Sequence, residues 1–327
     1  MDTAMTFDRE AAVAALQPWS WQQPAAPAGA LADYARFYGL DRVSSAAVAA
    51  PATVRHGIGY LDAAGYRIVL QCWRRPAPRG TVLVLHGYYD HTGIFDHIIG
   101  AVLASGFDVL AYDLPGHGLS SGEPAAINDF VEYQTVLRAV VDGMSSWARP
   151  MYVVAQSTGG AIFMEYLLAG RQDRVRAPFA GAVLLAPLVR PVNWKVNSRI
   201  HRVVSLFRKT IARKFAVNSH DEEFLAFLRN GDPLQSRVLS VRWVGALKRW
   251  IPRMEAHAPI DYPLVVVQGD EDGTVDWRHN LGVIREKFPG VTVHMIEHGR
   301  HQLVNESEAI RAQVMARVAA LLESAAS

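Results

Sequence analysis

A serine between small residues, in the stretch "AQSTGG" (155–160), is the first candidate for chemistry in this sequence. The apolar run "MYVV" precedes it and "AIFMEYLL" follows it, a pattern that predicts a buried strand, a tight turn and a helix. Such a turn requires small flanking residues, here Ala155 and Gly159, and it lifts the serine above the sheet. We therefore interpret Ser157 as a nucleophile, with the N–H of Thr158 at the helix N-terminus facing a developing oxyanion.

A nucleophilic serine needs a base, and the base needs an orienting acid. Two later loops follow apolar strands and carry these residue types: "DEDGTVD" after "LVVVQG", and "HGRHQLVNE" after "VTVHMIE". Both loops are expected at the sheet edge where ligands of open α/β sheets bind. Among the acids we favour Asp272, with Asp270 and Asp276 as alternatives. Among the histidines we favour His301 over His298, which directly abuts the strand.

A second oxyanion donor is expected from the loop "HGYYDHTG", which begins where the strand "TVLVL" ends. We assign it to the backbone N–H of Tyr88, paired with that of Thr158. In the same loop we interpret His86 as a structural hydrogen-bonding residue. The loop "YDLPGHGLSSG" is expected to support the floor of the site, without a catalytic role, through Asp113, His117 and Ser120.

Eight apolar runs predict strands, and from residue 81 onward these runs are continuous rather than alternating. Continuous runs are typical of strands buried on both faces of a mainly parallel sheet. Helical stretches lie between most of them, which favours α/β architecture with right-handed crossovers. The predicted strands are "VRHGIGYL", "YRIVLQCW", "TVLVLHG", "DVLAYD", "MYVVAQS", "AVLLAPL", "LVVVQGD" and "VTVHMIE".

The segment from 190 to 253 breaks this alternation, because several helices and no strand are predicted there. It contains 14 Lys and Arg against 4 Asp and Glu, a net charge of +10, whereas the whole chain carries +2. We interpret it as a basic helical cap inserted after the sixth strand. In "RIHRVVSLFRKTIARKFA" one helical stripe is apolar, and it consists of Ile200, Val203, Val204, Phe207 and Ile211.

The apolar stripes of this cap are expected to pack on the sheet edge and roof an acyl pocket. Its outward face would then carry the charge, either as a solvated surface or as a peripheral contact with anionic membrane. The basic residues of the first helix are Arg199, Arg202, Arg208, Lys209, Arg213 and Lys214. The candidates for core or pocket contacts are Phe224, Leu225, Phe227, Leu228, Trp243 and Trp250.

Composition excludes several classes of function. A net charge of +2 gives no field that would attract nucleic acid. The single cysteine, Cys72, allows no disulfide within the chain and is compatible with a reducing compartment. No apolar run reaches the roughly 18 residues of a membrane helix, and the N-terminus lacks the basic start of a secretory signal. We therefore expect a cytoplasmic location, and the sequence indicates nothing about oligomeric state.

The motifs "HGYYDHTG", "YDLPGHGLSSG", "AQSTGGAI", "GDEDGTV" and "HGRHQLVNE" occur in an order that resembles the monoacylglycerol lipase and lysophospholipase branch of the α/β-hydrolases. The similarity covers roughly residues 55–310, including a helical cap in the equivalent place. It implies a triad of Ser157, Asp272 and His301 that hydrolyses acyl esters without a cofactor. The sequence departs from the usual pattern at three positions, Ala155, Gln156 and Asp90, of which the last two are expected to alter substrate choice.

This resemblance implies an α/β-hydrolase core divided by the cap. The predicted units are an N-terminal leader and helix (1–50), the first part of the core (51–189), the cap (190–258) and the second part of the core (259–327). The Ala/Pro-rich stretch "QQPAAPAGA" in the first unit is expected to be mobile.

The predicted function is that of a serine hydrolase cleaving carboxylic acyl esters, most simply a lipid esterase. A binuclear zinc loop would need a histidine where Tyr88 stands between His86 and Asp90, and no His-Glu-x-x-His occurs. Dinucleotide binding lacks its glycine motif, and Ser157 replaces the aspartate of epoxide hydrolases and dehalogenases. A soluble esterase or peptidase of the same fold, and a non-catalytic binding relative, are the alternatives.

Overall fold

Strands form the centre of the computed structural model, which describes residues 6–43, 54–172 and 177–324. Eight strands belong to one sheet and two to a short separate pair. All eight predicted strands lie in the large sheet, so the predicted sheet is confirmed. The strands are β1 (Arg55–Ala63), β2 (Tyr66–Arg74), β3 (Thr81–Leu85), β4 (Asp108–Tyr112), β5 (Met151–Gln156), β6 (Phe179–Leu185), β7 (Thr210–Ala212), β8 (Val238–Ser240), β9 (Leu264–Gly269) and β10 (Thr292–Ile296).

The order of strands in the large sheet is β1-β2-β4-β3-β5-β6-β9-β10. β2 is antiparallel to both of its neighbours, whereas all the pairings from β4 to β10 are parallel. Parallel neighbours require crossover connections, which the helices supply. The carboxyl ends of β3, β5, β9 and β10 therefore reach the same edge of the sheet.

Helices cover both faces of this sheet, in agreement with the continuous apolar runs. Buried side chains beneath α4, α5 and α9 fill one face, and those beneath α1, α2, α3 and α10 fill the other. None of the described helices is both long and apolar enough to cross a membrane. The helices are α1 (Arg9–Ala15), α2 (Ala30–Phe37), α3 (Asp96–Ala104), α4 (Phe130–Gly143), α5 (Thr158–Gln172), α6 (Trp194–Val204), α7 (Glu222–Ala226), α8 (Val241–Ala256), α9 (Trp277–Lys287) and α10 (Glu308–Ser324).

The N-terminal stretch packs along the sheet instead of forming the predicted mobile leader. The N–H of Trp19 donates to Tyr60 O at 2.7 Å, and the N–H of Ile58 donates to Ala25 O at 2.9 Å. The prediction is wrong because the edge strand β1 has free backbone groups, which an extended Pro-rich chain can satisfy. The predicted boundary at residue 50 lies outside the described residues.

The inserted segment, residues 190–258, lies between β6 and β9 and contains α6, β7, α7, β8 and α8. The expectation that it has no strand is wrong, because β7 pairs antiparallel with β8. The helix predicted to continue through Ala216 ends at Val204. Thr210 and Ile211 beyond it are β-branched, and pairing with β8 satisfies their backbone groups in an extended conformation.

The apolar stripe that was expected to pack inward is largely exposed. Ile200, Val203 and Phe207 are 54%, 61% and 77% exposed. Helical periodicity identifies residues that share a face but not the side that is covered. The expectation is wrong for Val203 and Phe207, whereas Ile200, Val204 and Ile211 line a cavity above the sheet edge. We call the exposed set the outer apolar face, which consists of Val196, Ile200, Val203, Leu206, Phe207, Ile211 and Val217.

Helix α8 attaches the inserted segment to the core. The buried ring of Trp250 stacks on Phe130 with a centroid distance of 4.7 Å, and its indole N–H donates to Glu165 at 3.0 Å. At the surface, Arg253 pairs with Asp129 at 2.6 Å. These contacts fix one side of the inserted segment above the carboxyl edge of the sheet.

Candidate active site

Ser157 occupies a strained turn between β5 and α5. Its φ is +50°, a value that non-glycine residues rarely adopt. Two hydrogen bonds hold the turn, from Ser157 N–H to Leu185 O at 2.9 Å and from Ala161 N–H to Ser157 O at 3.1 Å. A Cβ at Gly159 would lie 2.6 Å from Leu85 O, so the helix approaches β3 closely enough to exclude any side chain there. The requirement for small residues in this motif therefore has a steric explanation.

Gly159→Ala is expected to destabilise the protein by about 1–3 kcal/mol, because its methyl group would collide with rigid backbone. Gly282→Ala in α9 is the matched control: an added Cβ there meets nothing within 4 Å, and alanine favours the helix by about 0.5–1 kcal/mol. Urea unfolding of both variants measures the difference. Equal stability of the two variants would contradict this account of the turn.

Ser157, His301 and Asp272 form one chain of hydrogen bonds. His301 Nε2 lies 3.0 Å from Ser157 Oγ, and His301 Nδ1 lies 2.8 Å from Asp272 Oδ2. Because the carboxylate can only accept, Nδ1 carries the proton and Nε2 is left to accept the serine hydroxyl. All three side chains are buried. The arrangement can remove the proton from Ser157 as its oxygen attacks a carbonyl.

The alternative acids and the alternative histidine lie elsewhere. Asp276 pairs with Arg190 at 2.8 Å and its side chain caps α9. Asp270 is exposed, and its N–H is bonded to the end of β10. His298 is exposed and bonds to Glu271 at 2.9 Å. Of the candidates considered, the structure brings only Asp272 and His301 to Ser157.

Charge sets the protonation of this pair. Burial disfavours the imidazolium of His301, but the carboxylate of Asp272 and the more distant charge of Asp90 outweigh burial and raise the pKa of His301. Burial also disfavours the carboxylate of Asp272, yet His301 and the N–H groups of Val275 and Thr274 lower its pKa. Asp272 therefore stays ionised at neutral pH and keeps the imidazole proton on Nδ1.

Asp272→Asn is expected to lower the pKa of His301, because the amide carries no charge and burial then dominates. NMR of the imidazole ring against pH should show titration above about 6.5 in the wild type and below it in the variant. His56, whose pKa burial lowers to about 4, is the internal control on the distant strand β1. An unchanged titration of His301 in the variant would sink this electrostatic assignment.

The loop after β3 lies directly against the serine. A Cβ at Gly87 would be 3.2 Å from Ser157 Cβ. Tyr88 stacks on Trp243 with a centroid distance of 3.8 Å, and its hydroxyl donates to Ala125 O at 2.8 Å. Both of the predicted oxyanion donors, Tyr88 and Thr158, line the same cavity as Ser157. The N–H of Thr158 has no acceptor within its helix because it belongs to the first turn of α5.

Buried amides connect these loops, and no motif or spacing in the sequence indicated these contacts. Gln302 Nε2 donates to Asp90 Oδ1 at 2.6 Å, and the other oxygen of Asp90 accepts Gly87 N–H at 3.2 Å. Gln156 Nε2 donates to His301 O at 2.7 Å. The only signal in the sequence for a role of Gln302 in the site is its position directly after His301. Two of the positions that depart from the lipase pattern thus contact the histidine loop.

The remaining polar residues near the site have supporting contacts, as expected. His86 Nδ1 donates to Gly87 O and its Nε2 accepts Leu114 N–H, while burial lowers the pKa of His86 to about 3. Asp113 accepts the N–H of Leu119 at 2.9 Å, and the Ser120 hydroxyl donates to Asp113 O at 2.7 Å. Each of these groups is occupied in holding a loop.

The loop after β3 is also tied to the inserted segment. His91 Nε2 bonds to Asp232 at 2.9 Å, and Tyr38 of the N-terminal region donates to the same carboxylate at 2.6 Å.

Within residues 6–43, 54–172 and 177–324, no three His, Cys, Asp or Glu side chains cluster as a metal site would require.

A cavity of about 640 Å³ opens above Ser157 between the core and the inserted segment. Its lining is mostly apolar, including Leu188, Val204, Trp243 and Leu247. Of the six aromatic and aliphatic residues suggested for core or pocket contacts, only Trp243 reaches it. Trp250 and Leu228 are buried in the core, and Phe224 and Phe227 line a different groove beside α2.

The charges of this cavity are mostly positive. Arg213 and Lys214 line it, although both were expected on the outward face with the other basic residues. Asp90 is the one carboxylate among the lining residues, and it is bonded to Gln302 and Gly87. The cavity therefore suits an apolar chain and an anionic group better than an ammonium group.

Comparison with known proteins agrees with this geometry. A family model described as "Serine aminopeptidase, S33" matches residues 76–308. The chain is 26% identical over 251 residues to the phospholipase YtpA of Bacillus subtilis, covering 72% of this chain and 93% of that protein. It is 26% identical over 275 residues to the monoglyceride lipase of Mus musculus, covering 79% and 87%.

Solved structures show the same fold. A monoglyceride lipase from Saccharomyces cerevisiae in complex with a substrate analogue superimposes with a TM-score of 0.70 at 18% identity, covering 81% of this chain and 94% of that one. The monoacylglycerol lipase of Paleococcus ferrophilus gives a TM-score of 0.65 at 19% identity, covering 76% and 96%. The family match, at residues 76–308, spans the inserted segment and the strands on both sides of it.

Proposed function

The chain belongs to the serine aminopeptidase S33 family of the α/β-hydrolases and is a carboxylic ester hydrolase; we propose that it cleaves the acyl ester of a monoacylglycerol or lysophospholipid through an acyl-enzyme. The observation that carries this proposal is the hydrogen-bonded chain of Ser157, His301 and Asp272 opening into a largely apolar cavity. The lipases among its relatives add support.

The proposed reaction has two halves. Ser157 Oγ attacks the ester carbonyl while His301 Nε2 takes the hydroxyl proton, and the N–H groups of Tyr88 and Thr158 stabilise the oxyanion. His301 then protonates the leaving alcohol, and an acyl ester remains on Ser157. In the second half, water gives a proton to His301 and attacks this ester. The bond from Ser157 Oγ to the acyl carbon then breaks, His301 returns the proton to Ser157, and the fatty acid is released. Asp272 stabilises the imidazolium in both halves.

Ser157→Ala and His301→Ala are each expected to lower kcat by about 10⁴-fold or more, because triad members act as a unit. The measurement is hydrolysis of a panel of esters that vary in acyl length and head group. Far-UV circular dichroism and melting temperature show whether the variants fold. A fluorophosphonate probe should label the wild type and not Ser157→Ala. Half of the wild-type activity in either variant would refute the assigned roles.

A peptidase is the second candidate, since the family model is described as a serine aminopeptidase. An aminopeptidase must bind the α-ammonium group of its substrate, and a free carboxylate would serve this purpose. Asp90 is the one carboxylate in the cavity lining and is already hydrogen-bonded, while Arg213 and Lys214 would repel an ammonium group. We therefore favour ester hydrolysis, and aminoacyl anilides belong in the substrate panel.

The proposed units of the chain follow from the cavity. We propose that residues 190–258 act as a cap over a core formed by 51–189 and 259–327, with 1–50 as an N-terminal unit. The support is that the lining contains residues from the inserted segment and from both parts of the core.

We also propose that the cap contacts anionic membranes. Leu206 and Phe207, in the turn that follows α6, are 74% and 77% exposed, a large apolar area for a water-facing surface. Ile200 and Ile211 belong both to this outer apolar face and to the cavity lining, so lipid held there would lie beside the entrance. The surrounding exposed cations suit anionic headgroups, and they are Arg199, Arg202, Arg208 and Lys209.

Replacing Arg199, Arg202, Arg208 and Lys209 together by Gln is expected to weaken cosedimentation with anionic vesicles by about tenfold or more. Each basic residue near an anionic surface contributes up to about 1 kcal/mol, and salt screens the contribution. These four residues are outside the cavity lining. Hydrolysis of a soluble short-chain ester should therefore be unchanged, which makes it the control.

Leu206→Ser with Phe207→Ser tests the apolar part of the same surface, and it should weaken binding to neutral and anionic vesicles alike. Wild-type binding that is absent, or indifferent to lipid charge and to salt, would defeat the membrane proposal. The basic surface would then be solvated, and the enzyme would act on dispersed substrate.

A further inference from the structure

Arg213 differs from the other basic residues of the cap in its surroundings. Its guanidinium lies 3.8 Å from the centroid of the Tyr89 ring and 4.3 Å from that of Phe215. Nη1 donates to Gln235 Oε1 at 2.6 Å and to Ser236 O at 3.2 Å. Two rings and two acceptors thus hold the guanidinium in one place, so its position requires little ordering when a ligand binds.

The opposite edge of this guanidinium has no protein acceptor among the described residues. Arginine carries five N–H donors; the two on Nη1 are used, and those on Nε and Nη2 are not. Arg213 also forms no ion pair with a described carboxylate, Asp90 included. Nε–H and Nη2–H point the same way and match two oxygens of one phosphate or carboxylate.

The position of Arg213 connects this free edge to the proposed chemistry. Arg213 and Ser157 line the same cavity. Tyr89, against which the guanidinium stacks, follows the proposed oxyanion donor Tyr88 directly in sequence. Lys214 adds a second positive charge to the lining. An ester bound at Ser157 could therefore place a charged group of its alcohol part beside Arg213.

We propose that Arg213 binds the phosphate of the substrate head group, so that the enzyme prefers phosphate-bearing lysolipids to uncharged monoacylglycerols. This inference rests on the proposed function and narrows it. The apolar lining accommodates the acyl chain, and the free guanidinium edge accepts two phosphate oxygens. A neutral glycerol offers Arg213 no charge, and the guanidinium would remain without an ionic partner when such a substrate binds.

The test compares 1-hexanoylglycerol with 1-hexanoylglycerol 3-phosphate, both below their critical micelle concentrations so that membrane attraction does not contribute. The measured quantity is the ratio of kcat/KM for the phosphate ester to that for the neutral ester. The wild type should favour the phosphate ester, and Arg213→Gln should lower the ratio at least about tenfold, as expected for the loss of a charged hydrogen bond. The ratio for Arg213→Lys should lie between those of the wild type and Arg213→Gln, because lysine keeps the charge but not the planar pair of donors.

Arg67→Gln is the matched control. Arg67 also stacks on an aromatic ring, that of Tyr60 at 4.1 Å, but it lies on β2 outside the cavity lining. In Arg67→Gln, the ratio of kcat/KM for the phosphate ester to that for the neutral ester should equal that of the wild type. A ratio unchanged in Arg213→Gln would overturn the proposal, and so would an equal loss on both esters, since Arg213 would then only position the loop of Tyr89.

A binding measurement separates this inference from the proposed function. Calorimetry on Ser157→Ala, with and without Arg213→Gln, follows binding of 1-hexanoylglycerol 3-phosphate and of inorganic phosphate. If the wild type hydrolyses neither ester, the proposed function fails, while Arg213-dependent binding of the phosphorylated lipid would still support the site. If inorganic phosphate binds as tightly as the lipid, the site serves free phosphate and the proposal of head-group recognition fails.

Discussion

The positive φ of Ser157 is the constraint on which the rest of the site depends. A turn this tight brings the start of α5 against β3, where backbone oxygens leave no room for a side chain at Gly159. The same turn places the serine hydroxyl above the carboxyl edge of the sheet, where the loops after β3, β9 and β10 meet. Strain at one residue is tolerated because a buried strand, a helix and two backbone hydrogen bonds hold it from both sides.

Loops that meet at one edge still need a fixed relative position, and buried amides supply it. Gln156 holds the carbonyl of His301, and Gln302 holds Asp90, which in turn holds Gly87. The loops that carry Ser157, His301 and Gly87 are thus connected without the side chains of Ser157, His301 and Asp272. In a buried setting such bonds are stronger than in water, and a missing partner would be costly. The carboxylate of Asp90 also contributes to the field that raises the pKa of His301.

The sequence predicted the sheet well because the strands are buried on both faces, where continuous apolar runs leave little ambiguity. Asp272 and His301 could be proposed from loop position, but choosing between Asp272 and Asp270 depends on which side chain turns toward the imidazole. The cap was predicted less well. Periodicity identified the apolar stripe but not that Val203 and Phe207 within it are exposed to solvent. It also could not predict that β7 pairs with β8, about 28 residues away. Neither the side of the helix that is covered nor the pairing of β7 with β8 can be predicted from local sequence.

The basic residues of the cap form two groups in different surroundings, and a count of charges cannot distinguish them. Arg208 and Lys209 are exposed to water, where their charges act at long range and are screened by salt. Arg213 lies between two rings at the cavity, where burial lowers its pKa yet leaves it charged at any physiological pH. Desolvation makes a contact at Arg213 local, directional and less sensitive to salt. Under the two proposals made above, one insertion attracts a lipid surface with its outer residues and discriminates between individual head groups with an inner one.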